Sequence, residues 1–156
     1  MGGVKKVWMI LKSDVNTVTV GDNKITTMSL ASTGSAHAFN FRKGAASMTS
    51  NLQKDDTAGS YYWQTDLSMN FQRMETAKRT AVMALTLAEC AAIVQDNNDI
   101  YWFLGKDEYL GATTGTGETG AAKTDANQYT VVLQDNSLEL PYEIAASVIE
   151  GLNLPA

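Results

Sequence analysis

The chain has 156 residues, 44% of them hydrophobic and 19% charged, an ordinary composition for a soluble globular protein and long enough for one domain with a substantial core. Seventeen acidic residues against twelve basic give a net charge of −5. That balance argues against a general nucleic-acid binder, which shows a basic face or stripe. A single cysteine, Cys90, excludes an internal disulfide and any multi-cysteine metal site, and points to synthesis in the cytoplasm.

The opening MGGVKKVWMILKS has a short apolar run between lysines and no small-residue cleavage site, so it does not read as a signal peptide. No apolar run approaches the roughly 20 residues of a membrane span. The pairs Lys5-Lys6, Arg42-Lys43 and Lys78-Arg79 read as solvated surface rather than phosphate clamps.

In chain order, Val4–Leu11 is apolar on both sides and predicts a strand. Residues 14–23 read as a turn-rich excursion. Lys24–Ser32 (KITTMSLAS) is β-branched and predicts a second strand. Ala36–Arg42 alternates weakly. Lys43–Gly59 is rich in Gly, Ser, Ala, Asn and Asp and reads as a long loop, of a length that is uncommon in compact domains and usually functional or disordered.

Tyr61–Gln72 (YYWQTDLSMNFQ) alternates without a fault. Tyr61, Trp63, Thr65, Leu67, Met69 and Phe71 fall on one side, and a period of two is the signature of an amphipathic strand. At about 3.3 Å per residue it spans about 40 Å, the diameter of a compact chain of this size. An apolar face so long crosses the whole domain or projects beyond it, and a projecting face needs a cover. Tyr61, Trp63, Leu67, Met69 and Phe71 are therefore the candidate oligomer interface, with a second copy of the chain as the cover.

Thr76–Ala88 (TAKRTAVMALTLA) carries Ala77, Ala81, Ala84, Leu85 and Ala88 at three- and four-residue spacing. It predicts a helix capped by Thr76, with a small alanine face able to lie close against a sheet. Glu89–Gly105 reads as a β-hairpin turning at Asp96-Asn97-Asn98-Asp99, since Asn tolerates the positive φ that tight turns require. Continuation of the helix through Val94 is the alternative. Gly111–Asp125 (GATTGTGETGAAKTD) is flexible by composition. Gln128–Leu133 and Leu138–Ile144 predict two further strands, the second at a sheet edge because Pro141 cannot donate to a ladder. These elements make a single β-rich α+β domain over residues 1–156, an antiparallel sandwich or barrel with one packed helix and long loops at 43–59 and 111–125.

No catalytic constellation stands out. Gly115 and Gly120 have phosphate-loop separation, but Ala121-Ala122 occupy the place of the lysine and a strand follows instead of a helix. His37, the only histidine, sits in an apolar alternating stretch and reads as a packed structural residue; a hydrolase built on it is a remote third reading. Cys90 reads as a buried small hydrophobe. Asp96 and Asp99 suit turn chemistry better than a calcium loop, which needs more ligands and a closing glutamate. Trp8, Trp63 and Trp102, with Tyr61, Tyr62, Tyr101 and Tyr109, suit core or interface packing, with a sugar platform as the rival. No catalytic, cofactor or metal residues are assigned.

From residue 58 to 145 the chain resembles a family of phage virion proteins. The carriers are SYYWQTDLSMNF, the Ala-rich helix, the strand Trp102-Phe103-Leu104-Gly105, the Gly/Thr-rich segment, and the strand start marked by Asp125, Asn127 and Tyr129. Such proteins belong to the tail and neck of phages infecting Bacteroidetes, crAss-like phages among them, and are similar to the tail-tube fold. Gln128 departs from the glycine common before that tyrosine. The resemblance implies a non-enzymatic, ring- or tube-forming subunit located in the virion and made in the host cytoplasm. Its implied partners are itself and other tail, neck or portal proteins. DNA would pass through the lumen without specific binding. A monomeric β-sandwich module binding sugar or peptide is the runner-up.

Overall fold

Strands that are apolar on both sides have to be buried on both sides, and two such runs set the architecture. In the computed structural model, residues 2–30, 36–42, 44–72, 74, 76–87, 89–125, 127–152 and 154 are described. The elements are β1 (Val4–Leu11), β2 (Val15–Gly21), β3 (Lys24–Leu30), β4 (Ala36–Asn40), β5 (Ala46–Asp55), β6 (Ser60–Gln72), α1 (Thr76–Leu87), β7 (Cys90–Asp96), β8 (Tyr101–Leu104), β9 (Gly111–Glu118), β10 (Gln128–Ser137), β11 (Tyr142–Ile144) and α2 (Ala146–Leu152). The protein is strand-rich, with two sheets. The larger has the order β2-β3-β11-β8-β7-β1-β4 and the smaller β5-β6-β10-β9. Only β11 and β3 pair in parallel; the other described pairs are antiparallel.

β1 and β7 are the strands buried on both faces. Val7, Met9, Ala92, Val94 and Leu104 meet Leu67, Met69, Phe71, Val131 and Leu133 of the smaller sheet. Trp8, Ile10, Ala91, Ile93 and Phe103 point the other way and pack with Ile25, Ile144 and Leu152 of α2. Each of the buried Val, Leu, Ile, Phe and Met side chains among these contributes about 1.5–3 kcal/mol of hydrophobic stabilisation. The larger sheet is thus the middle layer, between the smaller sheet and α2, a helix with no counterpart in the sequence reading.

Two hairpins show their turn chemistry. Asp22 and Asn23, between β2 and β3, both have positive φ (52° and 62°), as a two-residue turn matched to strand twist requires. After β7, Asp96 Oδ1 accepts hydrogen bonds from the Asn98 and Ile100 amides at 2.8 and 3.1 Å, and Asp96 Oδ2 accepts from Trp102 Nε1 at 3.2 Å. The expected hairpin is present, and Asp99, not an asparagine, takes the positive φ of 61°.

Several expectations need correction. Residues 14–23 hold strand β2. The segment 43–59 is not a loop: β5 pairs along β6 from Ala46↔Met69 to Asp55↔Ser60, and only a short turn joins them, where Asp55 Oδ1 accepts from the Thr57 and Ala58 amides. Most of 111–125 is β9, in register with β10. Gly117 faces Tyr129 there, and a Cβ would come within 3.0 Å of the ring, so this glycine makes room for an aromatic partner. Leu138–Ile144 shrinks to β11, which lies inside the sheet between β3 and β8. Pro141 precedes it, and edge placement is not the reason for the proline.

α1 starts at Thr76 itself rather than after it. Val82 packs against the inter-sheet core, while Ala77 and Ala84 are exposed, so the alanines described do not form the contact face. The expected strand end at Ala31-Ser32, the loop start at Lys43, the helix end at Ala88 and the side chains of Ala81 and Leu85 lie outside the described residues.

Candidate functional site

β6 is long enough to leave the sandwich. Its neighbour β10 ends at Ser137, opposite Trp63, so beyond that point β5 is the one strand beside β6 among the described residues. The pairs Leu52↔Trp63, Gln53↔Tyr62, Lys54↔Tyr61 and Asp55↔Ser60 form a two-stranded arm, and residues 51–62 are all exposed. Alternation carries the inward face of Leu67 and Thr65 straight on to Trp63 and Tyr61, joined across the ladder by Leu52. Tyr61 and Leu52 are 54% and 47% exposed, whereas Leu67 and Met69 are completely buried.

The candidate interface set therefore divides. Leu67, Met69 and Phe71 belong to the core of this one chain and are closed to a partner. Tyr61 and Trp63 stand where a partner can reach them. Leu52 and Lys54, which the sequence reading assigned to a loop, complete the same face; the alternation Ala46, Met48, Ser50, Leu52 was the available signal. β5 and β9 are the outer strands of the smaller sheet, with no further strand beside either among the described residues, and α1 lies against β9. Neither contains proline, and charges sit only near their ends, so the usual protections of an edge are sparse.

At the root of the arm the inter-sheet space turns polar. Thr65, buried, shares a 2.9 Å hydrogen bond with Ser50. Beside Thr65 in the ladder lies Asp135, only 4% exposed. Its Oδ2 accepts from the Gly105 amide at 3.3 Å, while Oδ1 has no hydrogen-bond partner among the described residues. Burial raises the Asp135 pKa above the carboxylate range; the Gly105 amide and Lys12 oppose the rise, and Asp107 and Glu108 add to it. Lys12 donates from Nζ to the carbonyls of Gly105 and Lys106, and burial lowers its pKa. Outside this cluster an open cleft of about 670 Å³ is bordered by Lys12, Asp107, Glu108, Tyr109, Gln134 and Asn136.

The remaining singled-out residues fall to structural roles or to the surface. Cys90 is buried, and burial raises its thiol pKa. His37 is exposed on β4, in register with Met9, which corrects its reading as a packed residue. Trp8 is buried and Trp102 half-buried. Gly115 lies within β9, which opens no helix. Asp125 Oδ2 accepts from the Ala121 and Ala122 amides, and Asn127 Oδ1 accepts from the Met74 amide at 2.8 Å. Those two residues shape the turn before β10. Among the described residues no group of three or more His, Cys, Asp or Glu is placed to hold a metal ion, and no helix is long and apolar enough to cross a membrane.

No family model, no curated protein and no solved structure matches this chain.

Proposed function

We propose that the protein is a non-enzymatic structural subunit of a tailed-phage particle, forming a homo-oligomeric ring or tube at the tail or head–tail neck through which DNA passes. The carrying observation is the smaller sheet, whose outer strands β5 and β9 have no further strand beside them among the described residues, together with an arm on which Tyr61 and Leu52 are exposed. An outer strand of eight to ten residues is a template for another strand. Pairing β5 of one copy with β9 of the next is a heterologous contact, and repeated about an axis it closes into a ring. A net charge of −5 suits a wall past which phosphates move without sticking. The tail-tube likeness of the fold belongs to the same proposal.

Native mass spectrometry and negative-stain microscopy at high protein concentration test it. Closed rings or tubes are expected; a strictly monomeric protein would overturn the reading. The second reading, a monomeric β-sandwich module for sugar or peptide, draws on the cleft bordered by Tyr109, Gln134 and Asn136. Replacing Trp63 separates the two, because loss of assembly favours the ring and loss of ligand binding by a monomer favours the module.

A further inference from the structure

Between β8 and β9 the chain crosses from the larger sheet to the smaller along residues 105–110. The far end of this crossing is fixed by Leu110, which is buried and donates its amide to the Cys90 carbonyl at 2.7 Å. The near end is Gly105, held by two charged side chains at once. Its amide donates to Asp135 Oδ2 at 3.3 Å. Its carbonyl accepts from Lys12 Nζ, which also reaches the Lys106 carbonyl at 2.8 Å. Between the two ends, Asp107, Glu108 and Tyr109 border the open cleft.

The tie at Gly105 is sufficient for a neutral acid and insufficient for a carboxylate. Asp135 is almost fully buried, and its Oδ1 has no hydrogen-bond partner among the described residues. Buried charges are ordinarily paired or well supplied with donors, and this carboxyl has one long amide contact. The cation acting on it is Lys12, whose ammonium is engaged by two carbonyls rather than by Asp135. Asp107 and Glu108, also close by, repel its charge. The other titratable groups around it offer no relief. Lys106 is turned to Asp107 and the Tyr142 ring, and Asp66 is turned to Gln134 on the opposite face of the ladder. The Cys90 thiol stays protonated because burial raises its pKa, and Thr65, opposite Asp135 in the ladder, carries no charge. An ionised Asp135 therefore competes with the two carbonyls for a single ammonium.

We infer that Asp135 and Lys12 form a proton-controlled latch on the sheet-to-sheet crossing: with Asp135 neutral, Lys12 pins Gly105 and Lys106, and with Asp135 ionised the ammonium moves to the carboxylate and releases the segment that walls the cleft. The released arrangement pairs the carboxylate with a cation, so its carboxyl has a lower pKa than in the pinned arrangement. Release is then favoured as pH rises, by about tenfold per pH unit between the two values. Leu110 stays anchored, so the change is confined to residues 105–109 and leaves both sheets intact. The latch lies within one chain and is independent of the self-assembly reading.

The test is a pH titration of the whole chain from about 4 to 8, across the range where a raised carboxyl titrates, followed by NMR. The signals read are the Asp135 carboxyl, the Lys12 Cε carbon and the backbone amides of residues 106–109. In wild type all three should move together with one midpoint, and the released-to-pinned ratio should rise about tenfold per pH unit through the transition. Asp135→Asn, uncharged and nearly isosteric, should keep the pinned spectrum throughout, with only the titrations of Asp107 and Glu108 superimposed. Lys12→Met should show the released amide pattern already at low pH. A wild-type Lys12 signal that does not follow the Asp135 midpoint overturns the inference. So does an Asp135→Asn variant that titrates as wild type does, or a Lys12→Met variant that keeps the wild-type transition. Should Lys12→Met fail to fold, the wild-type and Asp135→Asn spectra decide by themselves.

Discussion

The two halves of β6 carry the same alternation and meet opposite surroundings. From Thr65 to Phe71 the inward residues are buried against the larger sheet. From Ser60 to Trp63 the same face runs past the end of β10 and emerges into solvent. Alternation tells which side of a strand seeks cover, and nothing in it says where the cover is. The residues that hold the monomer together and those open to a partner are thus neighbours on one ribbon, and substitutions along it should split cleanly into two kinds.

The sharpest break is expected at Leu67. Leu67→Ala removes a completely buried side chain from between the sheets and should cost about 3 kcal/mol in urea unfolding, within the range for cavity-forming core truncations. Gly105 comes next. Its φ is +90°, and a Cβ would meet Ala91 Cα at 3.0 Å and Ala91 Cβ at 3.2 Å. Gly105→Ala should cost about 2 kcal/mol, because backbone strain and a steric clash add; a thermal melt unchanged within error would show that the chain relaxes there.

The contrast between the halves of β6 also marks what was legible beforehand. β1, β6, β7 and β8 could be read because each has an unbroken apolar pattern, continuous where both faces are covered and alternating where one is. β2 could not, because register shifts between Val15 and Thr17 and between Thr19 and Val20 break the period of two, although Asp22-Asn23 was a usable turn signal. β5 and β9 resembled loops because their small and polar residues have little burial of their own. Their order comes from pairing with β6 and β10, which is a tertiary effect invisible to local composition. α2 is only seven residues long, too short for its period to stand out. Of the candidate site, the sequence supplied Tyr61 and Trp63 but could not separate them from Leu67, Met69 and Phe71, since only the end of β10 makes the distinction.

At the junction of the two halves sits Asp135, and its effect depends on pH. Its folded pKa is raised, chiefly by burial, so the folded chain holds that proton more tightly than the unfolded chain. Stability from this group is then greatest below the ordinary carboxylate range and declines as pH rises through the raised folded value. Asp135→Asn keeps an acceptor for the Gly105 amide and removes the buried charge. Denaturation as a function of pH should show the variant gaining on wild type as pH rises from about 4 to neutrality. A wild-type minus variant difference that stays flat with pH would mean Lys12 and the surrounding dipoles already compensate the charge.

The smallest effect on the monomer is expected at the arm, and that smallness is what makes it informative. Tyr61 is 54% exposed, and its ladder partner Lys54 belongs to an equally exposed strand. Tyr61→Ser should therefore change unfolding of dilute protein by no more than about 0.5 kcal/mol, as surface substitutions away from caps and cores do. If the arm is an intermolecular element, the same variant must lower the apparent stability of concentrated protein, because assembly adds to the folded state only what the interface retains. The comparison is made at two concentrations a hundredfold apart. Wild type should gain melting temperature with concentration and Tyr61→Ser should gain much less. Equal gains would mean that the exposed half of β6 is solvated ribbon and takes no part in any contact between copies.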